Sequence, residues 1–199
     1  MNNTDTKLEI RTLGHFSISI DGKQVAKEWP NETLKVIFCS LLSPFDAYLT
    51  WDRICLNMWG IPDSRIVRNR LEELLIGPLN NYLITELGFN PLISENEGVS
   101  LDLQRIKLDA IDFYQAAVEG NRLLANGNSS AATAMFRRAD NLYPGSFLPG
   151  MYGTIIKKNR TNLEQLHQTA VRADRQNITN FGYTDWHKKD EFRLYHLAA

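Results

Sequence analysis

Three arginines and an asparagine fall within six residues of the stretch "DSRIVRNRLEELLIGPL", residues 63–79. Arg65, Arg68 and Arg70 carry permanent positive charge on planar guanidinium forks, which match phosphate oxygens or the paired acceptors on a guanine edge. Asn69 offers the donor and acceptor that fit adenine. Such a set could do recognition chemistry on a nucleic acid, with phosphate contacts for position and base-edge contacts for sequence. Glu72 and Glu73 follow at once, and Gly77-Pro78 soon after. Two carboxylates close to phosphates cost energy unless they are paired. Arg68 with Glu72 at i,i+4 and Arg70 with Glu73 at i,i+3 are spaced to pair, each for about 0.2–0.5 kcal/mol.

A helix must carry these residues, and its geometry assigns them faces. At about 100° per residue, Val67, Leu71, Leu74, Leu75 and Pro78 share one side and are expected to point into the core. Arg65, Asn69, Glu72, Glu73 and Ile76 fall on the outward side, with Arg68 and Arg70 on its flanks. Gly77-Pro78 is expected to end this helix early and restart a short one at "LNNYL", because Pro lacks an N–H and Gly weakens the turn.

The surrounding elements read as follows. "LEIRTLGHFSISIDGKQV" alternates apolar and polar residues and contains an Asp21-Gly22 turn, which predicts two or three short antiparallel strands. "PNETLKVIFCSLL" predicts a helix opened near Pro30 and Asn31 and stopped by Ser43-Pro44. "YLTWDRICLNMWGIPD" predicts a brief extended piece, then a helix capped by Thr50 and closed by Gly60 and Pro62. "NPLISENEGVSLDL" has two apolar-alternating arms around Asn96-Glu97-Gly98, a β-hairpin pattern. From about Leu108 the period becomes helical. Three helices are expected, one closed by Asn126-Gly127, one opened by Ser129 or Ser130, and a longer one in "TIIKKNRTNLEQLHQTAVRADRQNI". Short loops imply antiparallel neighbours, and Ala116, Ala117, Ala131, Ala132 and Ala134 allow close approach. About one and a half helical repeats are too few to bury their own faces. The helical half must therefore lean on the first half, on a partner or on another copy. A short final helix is expected in "YTDWHKKDEFRLYHLAA".

Composition narrows the function classes. The 199 residues are 43% hydrophobic and 23% charged, a globular balance with no apolar run near the roughly 18 residues of a membrane helix. The polar start "MNNTDTKLEI" lacks the pattern of a signal peptide, so a cytoplasmic protein is expected, without membrane partners. Cys39 and Cys55 sit in apolar helical patterns and read as buried hydrophobes. His15, His167, His187 and His196 lack zinc-like spacing. No metal, cofactor or catalytic residue is expected, since no Gly-rich phosphate loop, Ser-His-Asp order or carboxylate pair stands out. Net charge is −1. Residues 1–105 hold 10 basic and 14 acidic side chains, a net of −4, and the remainder holds 12 and 9, a net of +3. A nucleic-acid surface in the first half would work against its own average charge.

Strands, three helices and a terminal hairpin describe a winged helix-turn-helix, and at this point the residues resemble a known family. The chain is similar to bacterial transcriptional activators that join an OmpR-type winged helix to a bacterial transcriptional activation domain of tetratricopeptide-like helices. SARP regulators and the C-terminal parts of MalT-like activators are of this kind. "LEIRTLGHFSISIDGKQV" resembles the family's opening strands, and Trp29 with "LKVIFCSLL" its first helix. "TWDRICLNMWGIPD" resembles its second helix with the Leu-Trp-x-x-x-Pro ending. "GNRLLANGNSSAATAMFRRADNLYPGSFLPGMY" resembles its helical hairpin. The likeness covers residues 8–174. It implies an α+β fold, with a winged helix-turn-helix, small antiparallel sheet and wing hairpin over residues 1–105. An all-α tetratricopeptide-like helical hairpin domain over residues 106–199 would follow.

The resemblance also implies a function. The third helix would enter the major groove of double-stranded DNA, with Arg65, Arg68, Asn69, Arg70 and, from the first helix, Lys35 as contacts. The helical half would make dimer or polymerase contacts. The chain departs from the family where charge matters. The family's third helix runs Leu-Arg-x-x-Leu-x-Arg-Leu-Arg, and here the two later arginines fall on Glu73 and Leu75. The first helix keeps Lys35 alone, and the hairpin carries Glu95 and Glu97. With about three or four plausible phosphate donors, binding per monomer should be weak. A protein-interaction module that kept the fold and lost DNA binding is the alternative. Lys157, Lys158 and Arg160 are expected to form an exposed helix face.

Overall fold

The computed structural model describes residues 8–45 and 47–175. Alternating apolar residues build three antiparallel strands, β1 (Leu8–Arg11), β2 (Ser17–Ile20) and β3 (Lys23–Val25). Asp21 at φ 50° and Gly22 at φ 77° supply the two positive dihedrals that a two-residue hairpin turn requires. A strand absent from the sequence reading, β7 (Ile106–Leu108), completes the sheet in the order β3-β2-β1-β7. It runs parallel to β1, with Leu8 opposite Ile106 and Ile10 opposite Leu108. The sheet of the first half thus extends past residue 105, the expected end of that half. Three residues are too few for a period to show.

Helix α1 (Glu32–Leu41) begins at Asn31, whose side chain accepts the Leu34 N–H at 2.9 Å, and it buries Leu34, Ile37, Phe38 and Leu41. Strand β4 (Tyr48–Thr50) leads directly into α2 (Trp51–Trp59), capped by Thr50 Oγ1 and closed by a left-handed Gly60. The hairpin of β5 (Leu92–Ser94) and β6 (Gly98–Leu101) joins β4 in a second sheet, ordered β4-β6-β5. Gly98 permits that sheet. A Cβ there would stand 2.1 Å from the Leu49 carbonyl oxygen.

Between α2 and this hairpin the helix differs from expectation. Helix α3 (Arg65–Leu71) passes through a π turn (Glu72–Ile76) into α4 (Gly77–Leu87) without a break. Gly77 donates its N–H to the Glu72 carbonyl, five residues back, and Pro78 falls in the first turn of α4, where its missing N–H does no harm. Gly77-Pro78 therefore does not end the helix. A π turn takes up about one extra residue, so the wheel shifts by one. The buried series becomes Leu71, Ile76, Leu79, Leu83 and Leu87, while Leu74 is 52% exposed and Pro78 is exposed. The expected inward Leu74 and Pro78 and outward Ile76 are thus reversed.

In the second half α5 (Asp109–Ala125), α6 (Ser129–Asn141) and α7 (Thr154–Arg175) pack in sequence. Asn128, rather than either serine, caps α6 by accepting the Ala131 N–H at 3.2 Å. Buried Ala116, Ala117, Ala132 and Ala139 line the contacts. Ala134 is exposed, and Gly120 is the residue that admits the Phe136 ring, 2.6 Å from where a Cβ would stand. Phe113, Leu148, Ile156 and Leu163 belong to the same buried cluster as Leu8, Ile10 and Phe38. The helical half leans on the first half. The free cysteines Cys39 and Cys55 are buried. The expected final helix over residues 183–199 lies outside the described residues, as do His187 and His196.

One carboxylate fastens the halves. Asp109, at the start of α5, accepts the Thr12 N–H at 2.8 and 2.9 Å, the Thr12 hydroxyl at 2.7 Å and the Leu13 N–H at 3.0 Å. Leu148 donates to the Thr12 carbonyl at 2.7 Å, and Gly14 donates to Ser146 at 3.0 Å. From α7, Arg160 donates to the carbonyls of Phe147 at 2.6 Å, Met151 at 3.0 Å and Leu148. Arg160 is accordingly not part of an exposed face, although Lys157 and Lys158 are exposed.

Asp109→Ala would leave two buried backbone N–H groups without partners, and a loss on the order of 3 kcal/mol is expected, read as a lower urea midpoint. Gly98→Ala should disrupt the second sheet, visible as loss of slow amide exchange at Leu49 and Val99 while β1 and β2 stay protected.

Candidate nucleic-acid interface

The candidate surface is built on the turn between α2 and α3. Gly60 reverses the chain, and the Asp63 N–H returns to Asp52 Oδ1 in the first turn of α2 at 3.0 Å. Ser64 caps α3 by accepting the Val67 N–H at 3.3 Å. This cap fixes which side chains face out. Arg65, Ile66, Asn69 and Arg70 are exposed, Val67 is half-buried and Leu71 is fully buried.

The four residues singled out on this helix have different situations. Arg65 is exposed and forms no ion pair among the described residues. Asn69 is likewise exposed. Arg70 pairs with Glu73 at 3.3 Å, as their spacing suggested, with 64% of its side chain still exposed. Arg68 does not pair with Glu72. It turns back to Asp63, to which both Nε and Nη2 donate, while Nη1 donates to the Asn96 carbonyl at 3.1 Å. Its guanidinium also lies over the Trp51 ring, 5.8 Å from the centroid. The Asp63 hydrogen bond pushes the Arg68 pKa further above its ordinary value, so the charge is fixed in place. Lys35 lies elsewhere, 5.8 Å from the Phe16 ring centroid, in a shallow cleft with Trp29 and Lys27 beside the first sheet.

Arg68 and Trp51 together hold the β5–β6 turn. The Trp51 backbone N–H donates to Glu97 at 3.0 Å, and its indole N–H donates to the Glu95 carbonyl at 3.2 Å. Three consecutive carbonyls at the hairpin tip, those of Glu95, Asn96 and Glu97, are thereby tied to α2 and α3. The side chains of Glu95, Asn96 and Glu97 are left exposed. The surface pairs an α3 N-terminal turn bearing Arg65, Ile66 and Asn69 with a hairpin held at a set distance. Four carboxylates, Glu72, Glu73, Glu95 and Glu97, are exposed around it.

Sequence reasoning missed two parts of this arrangement. Asp63, five residues before Arg68, is a tertiary partner that helical spacing rules do not cover. Ile66 is 79% exposed and lies at the edge of the outward side of the wheel, between Glu73 and Arg70. Its sequence signal is an isoleucine at an outward position two residues after a serine cap, where a polar residue would serve the helix as well.

The fold is similar to that of EmbR from Mycobacterium tuberculosis, solved in complex with a low-affinity phosphopeptide. The TM-score is 0.65 at 17% identity, over 86% of this chain and 45% of that one. The chain thus spans less than half of EmbR's length. No family model matches the sequence, and no curated protein does. Among the described residues no helix is long and apolar enough to cross a membrane. At this identity the likeness concerns the fold: mixed helices and small sheets, arranged as in EmbR.

Proposed function

We propose that this protein is a transcription regulator of the SARP type. Residues 1–105 would act as an OmpR-like winged helix on double-stranded DNA, and residues 106–199 as a helical domain for a protein partner or a second copy. The observation that carries this reading is the outward N-terminal turn of α3, with Arg65, Ile66 and Asn69 projecting beside a hairpin fixed to the same helix. In a winged helix that turn enters the major groove and the hairpin touches the adjacent backbone. The likeness to EmbR, a SARP-type regulator, supports the same reading.

The residues divide by role. Arg65 and Asn69 are the base-reading and phosphate-reading side chains, and Arg70 reaches a phosphate on release from Glu73. Arg68 is a positioning residue: its hydrogen bonds to Asp63 and Asn96 set the hairpin against α3. Lys35, beside Phe16, adds little to the contact surface.

The carboxylates favour a second reading. Glu72, Glu73, Glu95 and Glu97 are all exposed around the α3 turn and the hairpin, and each would repel phosphates. A protein-interaction module with an acidic docking face is consistent with them.

A fluorescence-anisotropy titration on duplex DNA selected from a random library tests the choice. With about three phosphate contacts, log Kd should vary with log salt at a slope of about 2 to 4. Arg65→Ala with Asn69→Ala should weaken binding by about tenfold or more, and Lys35→Ala by less than about twofold. Absence of binding at tens of micromolar protein in about 50 mM salt would favour the interaction module. Arg68→Ala is expected to speed amide exchange across residues 94–98 while the melting transition stays cooperative. Unchanged exchange there would remove its positioning role.

A further inference from the structure

Ile66 is 79% exposed, and among the large apolar side chains described only Tyr152, at 82%, is more so. The core does not use it, since α3 meets the interior through Val67 and Leu71. It is the second residue of α3, one residue from Arg65 and three from Asn69. At that spacing Ile66 and Asn69 share one side of the first turn. A single exposed isoleucine on a surface is ordinary. This one stands beside Asn69, about 60° away around the helix, whose side-chain amide suits an adenine edge.

We infer that Ile66 is a specificity-determining residue that reads the thymine 5-methyl group, an inference that rests on the DNA-binding reading above. In the major groove thymine is distinguished by its C5 methyl, an apolar projection that an aliphatic side chain recognises by contact. Adenine on the opposite strand presents the N6 and N7 pair that Asn69 fits. Ile66 and Asn69 on one helical turn therefore suit a step that contains an A·T pair, with Arg65 on a neighbouring guanine or phosphate. Isoleucine is β-branched and rotationally restricted in a helix, so its methyl surface is pre-organised.

The surrounding charge gives this contact its importance. Glu72 and Glu73 lower the attraction of the helix for phosphates, and the Arg68 charge is held internally by Asp63. An apolar contact is indifferent to that field and to salt. Sequence discrimination can therefore persist on a face whose non-specific electrostatic attraction is small.

The test uses the full chain and a random-sequence duplex library made with thymidine. The enriched duplexes are resynthesised with deoxyuridine replacing thymidine one position at a time. At one or two positions the change should weaken binding about three- to fivefold, the scale of one buried methyl. Ile66→Ala should bind thymidine and deoxyuridine forms within about twofold of each other, and Ile66→Val should keep part of the difference. The exposure of Ile66 leaves the fold of both variants intact. If the penalty persists in Ile66→Ala, or no thymine matters, the inference is wrong while DNA binding stands. If the library yields no enriched sequence, the regulator reading fails and this inference with it.

Discussion

Two backbone N–H groups at the end of β1 point at a carboxylate nearly a hundred residues away, and most of the architecture depends on that contact. Asp109 accepts from Thr12 and Leu13 at the point where β7 has run beside β1 and turned into α5. Buried backbone donors need partners, and here no strand continues to supply them. The carboxylate does so, and it thereby sets where α5 begins and how the helical half meets the sheet. The segment around Phe147 and Leu148 pairs onto the same stretch, and Arg160 holds its carbonyls from α7. The helical half keeps one small cluster of its own, Ala132, Phe136, Ala170 and Ala173, and otherwise shares the core of the first half.

The π turn has a comparable local effect. One extra residue between Leu71 and Ile76 lets the chain accommodate Gly77-Pro78 without stopping. It also rotates everything C-terminal to it relative to the arginine-bearing turn. Leu74 is brought to the surface and Ile76 is taken inside. The N-terminal turns of α3, which precede the π turn, keep the faces that regular geometry assigns them. The candidate contacts and the irregularity therefore occupy separate parts of one continuous helix.

Charge on the candidate surface is partly internal. Arg68 ties Asp63 to the hairpin tip, and Trp51 adds two further bonds. Such a clamp takes one cation out of any binding surface in exchange for a fixed hairpin position. What remains outward is Arg65, Ile66, Asn69 and Arg70 among four exposed carboxylates.

Much of this was legible in the amino-acid order. The alternating run from Leu8, the Asp21-Gly22 turn, the Asn31 and Thr50 caps and the hairpin around Asn96 are all local, set by φ preferences and hydrogen bonds within a few residues. So were the outward positions of Arg65 and Asn69, because their turn is a regular helix. Other features belonged to the tertiary structure alone. Strand β7 is three residues long and exists because β1 offers it a parallel edge. Arg68 chose Asp63 over Glu72 because the folded turn and the Asn96 carbonyl converge on it. The reversal of Leu74 and Ile76 follows from a change in hydrogen-bond spacing that no fixed helical period contains. Local propensity determines elements, whereas partners distant in the chain are decided only when packing brings their donors and acceptors together.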